Sequence, residues 1–413
     1  MPFSTLGLCE GIQRALKGSG YMEPTPIQEK VIPLVLDKND VMARAQTGSG
    51  KSASFVLPVL ELLSKKDLPG KSKIKVLVLT PTRELTIQVA ETFETFSRFL
   101  AKKPKVVSVI GGEKLGNQMS AIQKGCDIVV ATSGRLLEIV KKQQINLKRV
   151  EFFVLDEADK MLDLGFEQEL EGILKELPPQ RQNLLFSATY PQKMLDIASK
   201  VMKDPILVTL EDEAPTVQSI SQRVIEVNRE NRAPLLRHLL NTEPYEQVLV
   251  FMANKRATDN IAAKFRKYGF LADSFHGDLP QEERIYTMEA YKAKKFRILF
   301  ATDIVGRGVD INDISCVVNF DLPRSPSDYI HRIGRTGRAG KSGVAISFIS
   351  HEDQAHFALI EKRSKIKLER EQIEGFELKG DAPVKVKGPA PVKGKRKSKK
   401  DKAREQALKE AES

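Results

Sequence analysis

Residues 41–52 read Val41-Met42-Ala43-Arg44-Ala45-Gln46-Thr47-Gly48-Ser49-Gly50-Lys51-Ser52. A short strand around Val41–Ala43 enters a glycine-rich turn, and an apolar helical stretch follows it. Gly48 and Gly50 let the backbone curl so that its N–H groups face phosphate oxygens at a helix N-terminus. The pattern approaches the phosphate-binding loop G-x-x-x-x-G-K-[ST], with Ala45 in place of the first glycine. On that reading Ala45, Gln46, Thr47, Gly48, Ser49 and Gly50 cradle a nucleotide's phosphates, Lys51 reaches the β- and γ-phosphates, and Ser52 ligates Mg²⁺.

Working outward, short β-branched runs alternate with helical periodicity, the pattern of a parallel α/β sheet. Strands are expected at Lys75–Thr80, Asp127–Thr132, Phe152–Asp156 and Asn183–Ser187. A second series is expected at Gln247–Met252, Arg297–Ala301, Cys316–Phe320 and Val344–Ile349. Nearly all their residues are apolar, as befits strands covered by helices on both faces. Between the series, Glu211-Asp212-Glu213-Ala214-Pro215-Thr216 is acidic, holds a proline and lacks periodicity. Two α/β domains follow, 1–210 and 218–366, joined by a linker at 211–217. A basic tail at 367–413 is expected to be largely disordered: residues 380–400 are mainly Lys, Gly, Pro, Ala and Val, without an aromatic residue.

The 413 residues carry 66 Lys+Arg against 54 Asp+Glu, net +12. Residues 379–413 hold 12 of those cations and 5 of the anions, so the tail supplies +7 and reads as an electrostatic tether for a polyanion. No stretch of 18 apolar residues suggests a membrane span, and Met1-Pro2-Phe3-Ser4-Thr5 does not open like a secretion signal. Cys9, Cys126 and Cys316 lie far apart and form no CxxC pair, which argues against a zinc or iron–sulfur site and for a reducing cytoplasm. A second acidic signal supports nucleotide chemistry. Val154-Leu155-Asp156-Glu157-Ala158-Asp159 ends an apolar strand on carboxylates, where Asp156 would hold a nucleotide's Mg²⁺ and Glu157 would position and deprotonate water.

Asp156-Glu157-Ala158-Asp159 spells DEAD, and with the following segments the chain resembles the DEAD-box RNA helicases of superfamily 2 from Phe3 to about Ile349. Gly20-Tyr21-Met22-Glu23-Pro24-Thr25-Pro26-Ile27-Gln28 looks like that family's adenine-reading motif, with the upstream Phe3 also present. A Gln28 carboxamide can pair with adenine N6 and N7 together, which guanine cannot satisfy. Pro81-Thr82-Arg83-Glu84-Leu85 and Gly111-Gly112 resemble RNA-backbone contacts, carried by Pro81, Thr82, Arg83 and Gly112, as do Thr132 and Arg135 in Thr132-Ser133-Gly134-Arg135, where the family usually has proline at the second position. Ser187-Ala188-Thr189 matches a motif that couples hydrolysis to strand separation, with Asp159 as its partner. In the second domain, Gln281 and Arg284 fall in an HGxxxQxxR segment, and Thr302 and Asp303 open a motif that also contacts nucleotide through Gly308 and Asp310. His331-Arg332-Ile333-Gly334-Arg335-Thr336-Gly337-Arg338 places His331 with the coupling residues and makes Arg335 and Arg338 the arginine fingers.

The resemblance implies two RecA-like domains in tandem, with ATP and Mg²⁺ as cofactors and RNA across the facing surfaces. It implies RNA-stimulated ATP hydrolysis, unwinding of short duplexes and remodelling of RNA–protein particles. With no Trp and 6% aromatic residues, base-stacking platforms are scarce, so little sequence specificity is expected. An ATP-gated RNA clamp or scaffold and a DNA helicase are the alternatives. A compact core with a short basic tail resembles the bacterial RhlE-like subgroup, which implies ribosomal or RNA-decay complexes as partners. A cytoplasmic monomer is expected, with a eukaryotic nuclear protein as the alternative, since Lys395-Arg396-Lys397-Ser398-Lys399-Lys400 also reads as a nuclear signal.

Overall fold

The computed structural model describes residues 2–45, 49–65, 73–190, 192–210, 220–303, 314–337, 342–364 and 366–380. Gln46, Thr47, Gly48, Gly308, Asp310, Arg338, the expected linker at 211–217 and the tail beyond 380 lie outside the described residues.

Two seven-stranded sheets organise the unit Met1–Leu378. The first contains Val41–Arg44 (β1), Val76–Thr80 (β2), Val106–Val109 (β3), Ile128–Thr132 (β4), Phe152–Leu155 (β5), Gln182–Ser187 (β6) and Ile206–Thr209 (β7), in the order β3-β4-β2-β5-β6-β1-β7. The second contains Ile220–Glu226 (β8), Val248–Phe251 (β9), Ala272–Phe275 (β10), Ile298–Ala301 (β11), Cys316–Asn319 (β12), Gly343–Ile349 (β13) and Arg370–Glu371 (β14), in the order β10-β11-β9-β12-β13-β8-β14. Counted from its own first strand, the second sheet repeats the order of the first. Every strand pair in both sheets is parallel.

The side-chain period of two explains why the central strands are apolar on both faces. Val76 and Val78 of β2 enter one core cluster, while Leu77 and Leu79 enter the cluster on the opposite face. Phe152 and Val154 of β5 divide from Phe153 and Leu155 in the same way. In the second sheet Val248 and Val250 face one cluster, and Leu249 and Phe251 the other. Each such fully buried side chain contributes roughly 1.5–3 kcal/mol. Register aligns the strand ends: Val78 opposes Val130 on one side and Val154 on the other. The loops that follow these strands therefore leave from one common edge, where parallel sheets bind ligands.

The expectation of a disordered tail from residue 367 is corrected for its first part. Arg370–Glu371 pairs with β8 at the sheet edge, and Glu371 accepts from Arg223 Nε and Nη2 at 3.0 and 2.8 Å. Ile373 and Phe376 pack on the second-lobe core, the latter ring 5.5 Å from that of His238. The segment was misread because its apolar residues are sparse and its charged ones meet partners far away in sequence.

Candidate functional site

The loop after β1 is tied to the chain entering the Pro26–Leu36 helix. Thr25 and Gln28 form a capping box, in which Gln28 Oε1 accepts from the Thr25 backbone N–H at 3.0 Å. Gln28 Nε2 donates to the Gly50 carbonyl at 3.0 Å. Gly50 has φ +91°, and a Cβ there would lie 2.5 Å from Gln28 Nε2. Gln28, 1% exposed, thus ties the helix start to the phosphate loop, while its carboxamide retains one further donor hydrogen and one acceptor lone pair. Lys51 opens the helix Lys51–Ser64, and its Nζ donates to the Ala45 carbonyl at 2.9 Å. Ser49 and Ser52 are half-buried beside it. Tyr21 is exposed, its ring edge-on to Phe96 at 5.2 Å. Phe3, expected at the nucleotide, is buried in the first-lobe core with Leu6 and Leu8.

At the end of β5, Asp156 and Glu157 are both buried, each 2% exposed. Asp156 Oδ1 accepts from the Glu157 N–H at 2.9 Å. Burial raises the Asp156 carboxyl above the usual range, against the pull of Lys51. Burial acts on Glu157 too, but Lys160 and then Lys51 hold its carboxyl below the usual range. Glu157 has φ +49°, a left-handed conformation that non-glycine residues adopt at a cost, characteristically at functional sites. Asp159 joins this strand end to that of β6: Thr189 N and Oγ1 both donate to Asp159 Oδ2 at 2.9 Å, and Asp159 N donates to Ser187 Oγ at 3.2 Å.

The second lobe brings Arg335 to this site. Arg335 is 2% exposed and acts electrostatically on both Glu157 and Lys160 of the first lobe. Burial, with Lys160 and Arg335 nearby, drives the His331 imidazole well below its ordinary range, so it is neutral at pH 7. Arg332 anchors their helix, Pro326–Ile333: its Nε donates to Asp303 Oδ1 at 2.6 Å, its Nη1 to the Asp321 carbonyl at 2.7 Å, and its guanidinium lies 4.8 Å from the Phe251 ring centroid. Asp303, expected at RNA, therefore holds Arg332 in this structure.

The residues expected at RNA lie at strand ends on both lobes. Pro81 and Thr82 follow β2, and Thr82 Oγ1 caps the helix Arg83–Ser97 by accepting from Leu85 N at 3.3 Å. Gly112 has φ +86°, and a Cβ there would fall 2.3 Å from Arg83 Nη1. Thr132 and Arg135 follow β4, with Arg135 Nε 3.3 Å from Glu138. Thr302 follows β11, its N–H donating to the Phe275 carbonyl at 3.2 Å. Gln281 and Arg284 open the helix Gln281–Lys292 and meet the first lobe directly. Arg284 Nη2 lies 2.6 Å from Glu84 Oε1, and Arg83 Nη1 donates to Gln281 Oε1 at 3.4 Å. Glu84 and Arg332 lie inside segments expected to be functional but carry no role of their own in the sequence, and Lys160 lies just outside one; the structure pairs them with Arg284, Asp303 and Glu157 respectively. Glu84 sits beside the recognised Arg83, and Lys160 follows the DEAD tetrad, so adjacency to a motif was the available signal.

Among the described residues no group of three His, Cys, Asp or Glu could hold a metal alone, and no helix is long and apolar enough to cross a membrane. Residues 25–197 match the DEAD/DEAH box helicase family, and residues 231–340 match the helicase conserved C-terminal domain. The chain is 40% identical over 368 residues to the DEAD-box ATP-dependent RNA helicase CshA of Geobacillus kaustophilus, covering 89% of this chain and 78% of that one. CshA of Bacillus subtilis is 39% identical over the same length, and these relatives give no support to the RhlE-like subgroup. S. cerevisiae Dbp5 bound to RNA and ADP-BeF3 superposes with a TM-score of 0.80 at 29% identity, over 90% of this chain and 95% of that one. A DEAD box protein from Methanococcus jannaschii, 41% identical over 90% of this chain and 99% of its own, gives a TM-score of 0.52. With both helicase domains matched in order and relatives near 40% identity along most of its length, the chain belongs to the DEAD-box ATP-dependent RNA helicase family.

Proposed function

We propose that ATP is hydrolysed between the two lobes when RNA brings them together, and that residues of both lobes make up the machinery. The observation that carries this reading is the ion pair between the lobes, Arg284 Nη2 to Glu84 Oε1 at 2.6 Å, in the same structure in which Arg335 of the second lobe stands near Glu157 of the first. The higher superposition on RNA-bound Dbp5 than on the more similar archaeal chain supports a closed setting of the lobes. In this reading the phosphate loop from Ala45 to Ser52 binds ATP, Gln28 and Tyr21 face the adenine, and Gly308 and Asp310 complete the nucleotide site. Asp156 and Ser52 offer hard oxygen donors that suit Mg²⁺, with the nucleotide's phosphates completing the shell. Bound there, Mg²⁺ would neutralise phosphate charge. Glu157 takes the proton of the attacking water, and Arg335 with Arg338 meets charge developing on the γ-phosphoryl group. Asp159, Ser187, Thr189 and His331 couple this chemistry to the lobes' setting.

RNA lies across Pro81, Thr82, Arg83, Gly112, Thr132, Arg135, Gln281, Arg284, Thr302 and Asp303, through backbone and 2′-OH contacts. Closure on RNA separates short duplexes locally and remodels RNA–protein particles, among which we place ribosomal and RNA-decay complexes. One chain supplies both lobes, which suits a monomer, and three unpaired thiols suit the cytoplasm. Steady-state ATPase with RNA or DNA as activator tests the core of this reading. RNA should stimulate turnover strongly and DNA weakly; equal stimulation would remove RNA as the partner that closes the cleft.

The Glu84–Arg284 pair gives a second expectation. Glu84→Arg adds positive charge near a polyanion, yet it should raise the RNA concentration for half-maximal ATPase by ~10-fold, because it sets a cation against Arg284 across the lobes. Adding Arg284→Glu should recover much of that loss. A double variant no better than either single one would exclude the pair as a latch.

Gln28→Ala should weaken ATP use by removing both the capping bond and the Gly50 tie. The unaltered chain should prefer ATP over GTP by a large factor, since guanine leaves the Gln28 carboxamide unpaired. Comparable kcat/KM for ATP and GTP would refute the adenine-reading role.

A further inference from the structure

Lys160 has no role in the chemistry set out above, although it bonds directly to Glu157. Its Nζ lies 2.8 Å from Glu157 Oε1, with side-chain exposures of 6% and 3%. Burying an ammonium is costly unless it is paired, and here the pairing falls on the carboxylate assigned to activate water. Glu157 Oε2 is also buried, and no described residue hydrogen-bonds to it. One oxygen of the carboxylate is therefore held and the other is left open. The lysine's own backbone is fixed in turn, since Lys160 N donates to Asp159 Oδ1 at 3.0 Å. Asp159 Oδ2 receives Thr189 N and Oγ1, both at 2.9 Å. A continuous chain of contacts thus runs from the end of β6 through Asp159 and Lys160 to the Glu157 side chain.

We propose that Lys160 is a positioning residue for ATP hydrolysis: by holding Oε1 of Glu157 it sets the carboxylate's rotation, reserves Oε2 for the attacking water, and ties that setting to Ser187–Thr189. The proposal rests on Glu157 as the water-activating group. Lys160 need not touch ATP to matter, because a general base works only within hydrogen-bond reach of the proton it removes. Displacing such a group by 1 Å can lower rate by ~10²-fold. Without Lys160 the Glu157 carboxylate can turn about its last bond and share both oxygens with other donors.

The test uses the full chain carrying Lys160→Met, Lys160→Arg, Glu157→Gln and the double variant Lys160→Met/Glu157→Gln. RNA-stimulated ATPase, nucleotide binding, RNA half-saturation and thermal midpoint are measured for each. Lys160→Met should lower kcat by ~10–100-fold with KM for ATP and RNA half-saturation within about twofold of the unaltered chain. Lys160→Arg, which keeps a charged donor, should recover most of that loss. In the Glu157→Gln background Lys160→Met should lower the residual rate no further, because the two residues act as a unit. A general packing role would instead lower the residual rate again and overturn the proposal. Unchanged kcat in Lys160→Met, or a loss confined to KM, would also overturn it. If Lys160→Met fails to fold, Lys160→Arg and the double variant, which leaves no unpaired buried charge, still decide the matter. Near-normal turnover in Glu157→Gln removes the reading on which the proposal stands, whereas an inactive Glu157→Gln beside a normal Lys160→Met removes the proposal alone.

Discussion

Arg335→Ala is expected to reduce RNA-stimulated ATP turnover by ~10³–10⁵-fold while leaving ATP binding by the first lobe nearly unchanged, the effect of removing an arginine finger. Arg335 stands in the second lobe, only 2% exposed, and its charge acts on Glu157 and Lys160 of the first. A guanidinium fixed in so dry a site stabilises developing negative charge without reorganising as the reaction proceeds. Lysine should not substitute well, because it lacks the rigid fork of donors. Steady-state ATPase at saturating RNA, with a separate nucleotide-binding measurement and a thermal midpoint, checks the split. Turnover within tenfold of normal would exclude Arg335 from the transition state, and loss of nucleotide binding alone would make it a ground-state ligand.

Glu157→Gln should lower kcat by ~10²–10⁴-fold, the usual worth of a positioned general base, with ATP and RNA still bound. Glutamine keeps the shape of glutamate and can still accept from Lys160, so folding should survive. What it lacks is the capacity to take a proton from water. The carboxylate's contribution lies in the transition state, so the loss should appear in kcat and kcat/KM together rather than in KM. Such a variant should accumulate on RNA in the presence of ATP, because closure is allowed and the step that reopens the cleft is blocked. Multiple-turnover ATPase close to normal would reject the assignment.

Which parts of this protein could be read in the chain follows from burial. The eight strands expected from sequence are the interior ones, whose apolar residues divide between the two core faces, and all eight are present within a residue or two. β1 was read from its apolar run ahead of the phosphate loop. The strands not anticipated, β3, β7, β8, β10 and β14, are less uniformly apolar or lie at sheet edges. Ile206–Thr209 buries only Val208, and Ile220–Glu226 includes Ser221, Gln222 and Arg223. Their pairing comes from neighbours already in place, and a local window contains no trace of those neighbours.

The sequence by itself determined the family and the two-sheet architecture and marked the loop after β1 and the strand end at Asp156 as candidate nucleotide contacts, because each rests on residues contiguous in the chain or on a period-two apolar pattern. Tertiary structure alone decided that Gln28 holds Gly50, that Arg332 and Asp303 brace the helix before Arg335, and that Glu84 meets Arg284 across the lobes. It also decided where Lys160 points: the left-handed backbone of Glu157 and the grip of Thr189 on Asp159 set the geometry that brings Nζ to Oε1. A sequence specifies charges and spacings, but which charges meet depends on how the sheets place their common edge, and that is settled only when both lobes are folded and facing one another.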